Sequence, residues 1–114
     1  MIAVIFEVWA KEGHKDAYLD IAASLRDELT ALPGFISVER FQSLTDEGKL
    51  LSLSFFEDEA ALEEWRNRTA HRKAQAAGRG DLFADYRLRI ASDLRDYSMS
   101  ERDEAPADSR ALND

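Results

Sequence analysis

The nine residues Ile2–Ala10, "IAVIFEVWA", constrain this chain more than any other stretch. β-Branched and aromatic residues dominate the run, and "KEGHKD" closes it with a turn glycine, so it reads as a strand. Successive side chains along a strand point to opposite faces. Here Ile2, Val4, Phe6 and Val8 point one way, and Ala3, Ile5 and Trp9 the other. A strand covered on one side only alternates apolar with polar residues. This one is apolar on both. A second run, Lys49–Phe56, behaves alike and sets Leu51, Leu53 and Phe55 against Leu50 and Phe56. Any fold for this chain must cover both faces of its sheet.

The other elements fix the architecture. From Asp16 to Leu32 the residues Tyr18, Ile21, Ala22, Leu25, Leu29 and Leu32 recur at helical spacing, and "LPGF" stops the helix. Phe35–Leu44 alternates as a strand, and "TDEGK" turns the chain into Lys49–Phe56 as a hairpin. Asp58 suits a helix N-cap, with Glu59 beside it to match the helix dipole. That helix runs to about Ala77, where Gly78 and Gly80 end it. "DLFAD" is a connector, and Tyr86–Tyr97 reads as the last strand. The order β-α-β-β-α-β is ferredoxin-like, an α+β fold with a four-stranded antiparallel sheet. Its two helices cover one face. At 114 residues the chain is one domain, with no third layer for the second face. A second copy stacked sheet on sheet covers that face most economically, so a homodimer is expected. The folded domain is read as residues 1–99. From Ser100 the polar, acidic "SERDEAPADSRALND" predicts a disordered tail over residues 100–114.

Charge and cysteine content remove several function classes. The net charge of −8 argues against nucleic acid or an anionic membrane as partner, since phosphates call for clustered Lys and Arg. Arg66, Arg68, Arg72 and Lys73 do share one helix, but such a run reads as a solvated face. With no cysteine there is no disulfide, thiolate nucleophile or sulfur-bound zinc. A reducing cytoplasm suits such a chain. "MIAVIFEVWA" lacks a basic flank, contains Glu7 and is too short for a membrane span, so it is not read as a signal peptide.

Few residues offer chemistry. The only histidines are His14 and His71, and imidazole alone titrates near neutrality unperturbed. His71 lies on the second helix with Trp65 and Asn67, which makes it the candidate general base; the plain alternative is a surface histidine. Trp65 sits on the stripe facing the sheet, as core or as pocket wall. Glu7 interrupts an apolar strand. Its partner is expected among Arg40, Arg87 and Arg89; alternatively it is a buried carboxylate with a raised pKa. Ser52 and Ser54 face the same way as Phe56, as pocket donors or interface residues. Tyr86 offers a phenol. No metal-ligand set is apparent.

The segments "IAVIFEVWAKEGHKDAYLDIAASL", "LPGFISVERFQS" and "GKLLSLSFFEDEAALEEWRN", with "AHRKAQ" after the last, resemble the antibiotic biosynthesis monooxygenase domain family over roughly residues 1–98. The resemblance implies a dimeric α+β barrel. It also implies a cofactor-free monooxygenase acting on a small aromatic, phenolic or quinol substrate in a cleft between sheet and helices. The substrate would supply the electrons, so no cofactor is expected. Phenol oxygenases of the family carry Asn on the third strand, Trp at its end and Tyr in the next helix. Ser52, Phe56 and Leu62 stand at those positions here, and all three differ. Their position makes Ser52 and Phe56 candidate substrate contacts, with Trp65, Asn67, Tyr86 and Glu7. A haem-degrading branch of the superfamily, which would make haem the alternative ligand, uses a strand Asn, a helix Trp and a later His. Trp65 matches, Gln75 stands at the His position, and the first strand has no Asn. A non-catalytic small-molecule-binding dimer is the other alternative.

Overall fold

Strand β1 (Ile2–Ala10) lies inside the sheet, flanked by β3 (Lys49–Phe56) and β4 (Phe83–Ser92), while β2 (Phe35–Gln42) borders β3. The strand order is β2-β3-β1-β4 with every pairing antiparallel, as the ferredoxin-like order requires. Helices α1 (Lys15–Ser24) and α2 (Arg26–Thr30) join β1 to β2, and α3 (Glu59–Gln75) leads from β3 towards β4. A fourth helix, α4 (Ala107–Asn113), follows near the C-terminus. The structure is a computed structural model; it describes the backbone of residues 1–75 and 82–114 and the side chains of residues 1–68 and 82–114. The expected end of α3 at Ala77, Gly78 and Gly80 lies outside the described residues.

The two faces of the sheet separate by register. Ile2, Val4, Phe6 and Val8 pair with Phe56, Ser54, Ser52 and Leu50 on one side, and with Ser92, Ile90, Leu88 and Tyr86 on the other. Both buried clusters draw on this set. One joins Phe56 to Leu29, Leu32, Ala61 and Leu62, with Ile2, Val4, Phe35, Val38 and Trp65 packed against it. The other joins Val8 and Leu50 to Tyr18, with Phe6, Leu19 and Phe83 around them. This is therefore the helix side. The opposite face carries Ala3, Ile5, Glu7 and Trp9 with Phe55, Leu53, Leu51 and Lys49 as their β3 partners. Neither cluster of described residues reaches it.

Several boundaries differ from the sequence expectation, each for a local reason. The first helix divides at Leu25. Ser24 Oγ donates to the Ile21 carbonyl at 2.6 Å, and that carbonyl also receives the Leu25 amide at 3.3 Å. Such back-bonding loosens a helix ladder. Strand β2 stops at Gln42 instead of Leu44. The Gln42 amide nitrogen donates to the carbonyls of Ser43, Asp46, Glu47 and Lys49, so its side chain closes the hairpin. Strand β4 starts at Phe83 and ends at Ser92, ahead of the expected Tyr86–Tyr97. Its partner β1 begins at Ile2, and the Met1 ammonium binds Asp93 at 3.3 Å just past the end. Asp58 caps α3 as expected, its Oδ1 accepting from the Ala61 amide at 2.9 Å.

Composition alone predicts disorder from Ser100, and here the structure differs. Arg102 gathers that segment: its guanidinium donates to Asp114 Oδ1, Ser109 Oγ and the Ser98 carbonyl, and stacks on Tyr97 at 5.3 Å. Ala105 is buried, and α4 forms. Polar contacts within the segment supply the order that its apolar content does not.

Candidate functional site

Pairing register lines up side chains across the sheet, and the row through Arg40, Ser52, Phe6 and Leu88 crosses all four strands on the helix side. The rows on either side feed the two core clusters, through Val4 and Val38 on one flank and Val8 and Leu50 on the other. The middle row is left half-covered. Ser52, Phe6 and Arg40 are half-buried, and Leu88 is 53% exposed. Tyr86 and Ile90, neighbours of Leu88 on the same face of β4, are 56% and 48% exposed. One row further along, a space of about 330 Å³ lies between Ile90 and Glu59, Leu62, Glu63 and Arg66 of α3. Tyr86, Leu88 and Ile90 thus leave an open apolar strip on the helix side of β4.

The open strip is aromatic at one end. Phe6 meets Phe83 at 6.0 Å and Tyr86 at 5.7 Å between ring centroids, and Tyr18 meets Phe83 edge-on at 5.5 Å. Tilted and edge-to-face contacts of this kind fix ring positions while leaving a ring face open to a planar guest. The other end is cationic. The Nε of Arg40 is buried and has no hydrogen-bond partner among the described residues. The row thus runs from a cation through a hydroxyl to aromatic and aliphatic carbon.

The sequence candidates distribute unevenly over this geometry. Ser52 lies half-buried in the row through Phe6, and Tyr86 is exposed in the next row. Trp65 packs against the cluster around Phe56, so the packing reading of it fits. Phe56 is itself 1% exposed and meets Phe35 edge-on at 5.8 Å, which makes it core and removes it from the substrate contacts. Asn67 is exposed; two helical residues after Trp65 it has turned about 200° from the sheet-facing stripe. Glu7 lies on the opposite face of the sheet. There Lys49 Nζ at 2.8 Å and Arg89 Nη1 at 2.6 Å hold its carboxyl below the usual carboxylate range, Lys49 foremost. A carboxyl so paired is an anion and not the raised-pKa base, and of its three expected partners only Arg89 is engaged. His71 belongs to α3, and its side chain lies outside the described residues. His14 is exposed at the start of α1, its Nδ1 2.9 Å from the Glu12 carbonyl. Arg40, Phe6 and Leu88 escaped the sequence reading as site residues. Alternation within β1, β2 and β4 sets which face each residue takes, but only the register joins the faces into a row.

A further hollow of about 510 Å³ borders β2, lined by Ser37, Glu39, Leu53 and Phe55 together with Arg26, Val38 and Arg40. The first four belong to the face opposite the helices. Among the described residues there is no group of three or more His, Cys, Asp or Glu placed to hold a metal ion, and no helix long and apolar enough to cross a membrane.

Residues 1–77 match the antibiotic biosynthesis monooxygenase family. Over 90 residues the chain is 47% identical to a protein of Pyricularia oryzae named jasmonate monooxygenase ABM. That alignment covers 79% of this chain and 42% of the relative, so the chain spans well under half of the relative's length. Among solved structures, Rv0793 from Mycobacterium tuberculosis superposes with a TM-score of 0.72 at 20% identity, over 85% of this chain and 98% of that one. SnoaB, a cofactor-independent oxygenase from Streptomyces nogalater, superposes with a TM-score of 0.68 at 9% identity, over 83% and 94%. At such identities the two superpositions speak for the fold alone.

Proposed function

The chain belongs to the antibiotic biosynthesis monooxygenase family, and from that premise we propose that it is a cofactor-independent monooxygenase acting on a small hydroxyarene or quinol. The half-covered row on the helix side of the sheet carries this reading. It offers Phe6 and Leu88 for a planar apolar body, with Tyr86 beside them in the next row and Ser52 as a hydroxyl within the same row. In such a reaction one oxygen atom of O₂ replaces a ring hydrogen, and the ring passes to the quinone. The second oxygen atom leaves as water, and the substrate supplies all four electrons. No flavin or metal is needed, because a deprotonated hydroxyarene is itself the reductant.

The protein's task is then to remove the phenolic proton and hold the anion in an apolar setting. His71 is the proposed base, as one of two imidazoles in the chain and the one carried by the helix that leads towards β4. The face bearing Ile5, Leu51, Leu53 and Phe55 is proposed to meet its counterpart in a homodimer, in the cytoplasm. The jasmonate of the relative's name widens the panel of substrates to try.

Oxygen uptake by chelator-treated, flavin-free protein, offered 1,4-dihydroxynaphthalene and related hydroxyarenes, tests the proposal. Uptake is expected with at least one, together with a fall of roughly 10²–10⁴-fold in His71→Ala at unchanged circular dichroism. A failure to consume oxygen with any of them contradicts the oxygenase reading. Full activity in His71→Ala contradicts the assignment of the base.

A further inference from the structure

On the face away from the helices Lys49 and Arg89 both bind Glu7, so this trio carries one surplus positive charge. The same face holds Glu39, exposed and without a hydrogen bond or ion pair among the described residues. Register keeps the two charges apart. Glu39 pairs with Leu53, Leu53 with Ile5, and Ile5 with Arg89. Glu39 and Arg89 therefore end one row of four strands, roughly 14 Å from each other. Within one chain they do not meet.

A face stacks on a copy of itself about a two-fold axis lying between the two sheets. An axis across the strands sets each strand over its own duplicate, and Arg87 and Arg89 of β4 then meet the partner's Arg87 and Arg89. Like charges so placed are repelled. An axis along the strands, between β1 and β3, sets β2 over the partner's β4 and β3 over the partner's β1. Every row then meets its own reverse. Glu39 faces the partner's Arg89, Phe41 the partner's Arg87, and Phe55 the partner's Ala3. These are an ion pair, a cation over a ring, and a large side chain over a small one. Stacked sheets lie about 10 Å apart, a gap that a glutamate and an arginine span end to end. The hollow of about 510 Å³ at the β2 edge agrees, since Ser37, Glu39, Leu53 and Phe55 of its lining lie on this face. This axis brings the partner's Ile5 and Arg89 over it, beside the small Ala3 and Ala91. We infer that a second copy docks with its two-fold axis along the strands, and that Glu39 of each chain binds Arg89 of the other. The inference rests on the homodimer proposed above and fixes its orientation. Arg89 then bridges two chains, giving Nη1 to its own Glu7 and its remaining donors to the partner's Glu39.

Charge reversal tests the pairing. Glu39→Arg alone sets arginine against arginine, and Arg89→Glu alone sets glutamate against glutamate. At unchanged circular dichroism, each is expected to raise the dimer dissociation constant roughly tenfold or more in sedimentation. An equimolar mixture of the two is expected to recover the dimer, because both of its pairs are then opposite in charge. Ser37→Cys and Ala91→Cys give a second reading without altered charge, in a chain that has no other cysteine. After co-expression, a short bismaleimide is expected to join Ser37→Cys copies to Ala91→Cys copies, and neither variant to itself. Reversals that leave the dimer intact, a mixture that stays monomeric, or the absence of the mixed cross-link would overturn the orientation and leave the homodimer standing. A monomeric wild-type protein overturns the homodimer, and the pairing with it.

Discussion

Glu7 shows how one residue takes its meaning from the face it occupies. In sequence it is an acid among apolar residues, equally readable as a base or as a paired anion. On the face away from the helices it lies between Lys49 and Arg89, and both cations hold its pKa down. A carboxyl whose pKa is lowered by folding contributes stability above its unfolded pKa, and loses that contribution as pH falls through the folded value. On acidification through and below the ordinary carboxylate range, wild-type protein is therefore expected to lose more stability than Glu7→Gln. Above that range the two should run parallel. Thermal melts across the acid range check this, and curves of equal slope throughout would remove the ion-pair account. Arg40 illustrates the converse. In sequence it is an equally good partner for Glu7, yet its register with Ser52 sets it on the helix side of the sheet, away from that carboxylate.

At the scale of elements, the turn "PGF" ties the helices to the sheet. Gly34 has φ +84°, its carbonyl accepts from the Glu57 amide at 2.8 Å, and a Cβ there would stand 2.7 Å from the Cβ of Ala61. Gly34→Ala is expected to cost about 2 kcal/mol or more, combining left-handed backbone strain with displacement of α3. Urea denaturation measures it; a change below about 0.5 kcal/mol would mean that α3 does not need this close approach. The elements were the most legible part of the sequence. The Asp58 cap, the hairpin and the strand-helix order all follow from local chemistry. Less legible were boundaries set by partners: β4 ends where β1 gives out at Ile2, and the C-terminal segment is ordered by Arg102 contacts that composition does not register.

The whole molecule is thin, 20 Å across its shortest axis, which is the depth of two layers. One layer is sheet and the other is helix, so the face of Ile5, Leu51, Leu53 and Phe55 has no cover of its own among the described residues. The sequence announced that both faces needed covering; it did not say which residues shared a face across strands, because register is a long-range property. For that reason the need for a second cover was legible before the grouping of residues on each face. Sedimentation of wild-type protein is expected to give twice the 12.9 kDa of one chain, and Leu53→Asp a monomer. A monomeric wild type would undo the barrel. The central claim divides the sheet between a substrate on the helix side and a second copy on the other. Methyl-labelled protein mixed with 2-naphthol tests it most directly, through intermolecular nuclear Overhauser contacts. Contacts from the ring protons to the methyl groups of Leu88 and Ile90, with none to Leu51 or Leu53, are the expected result. Contacts to Leu51 and Leu53, or their absence at Leu88 and Ile90, would contradict it.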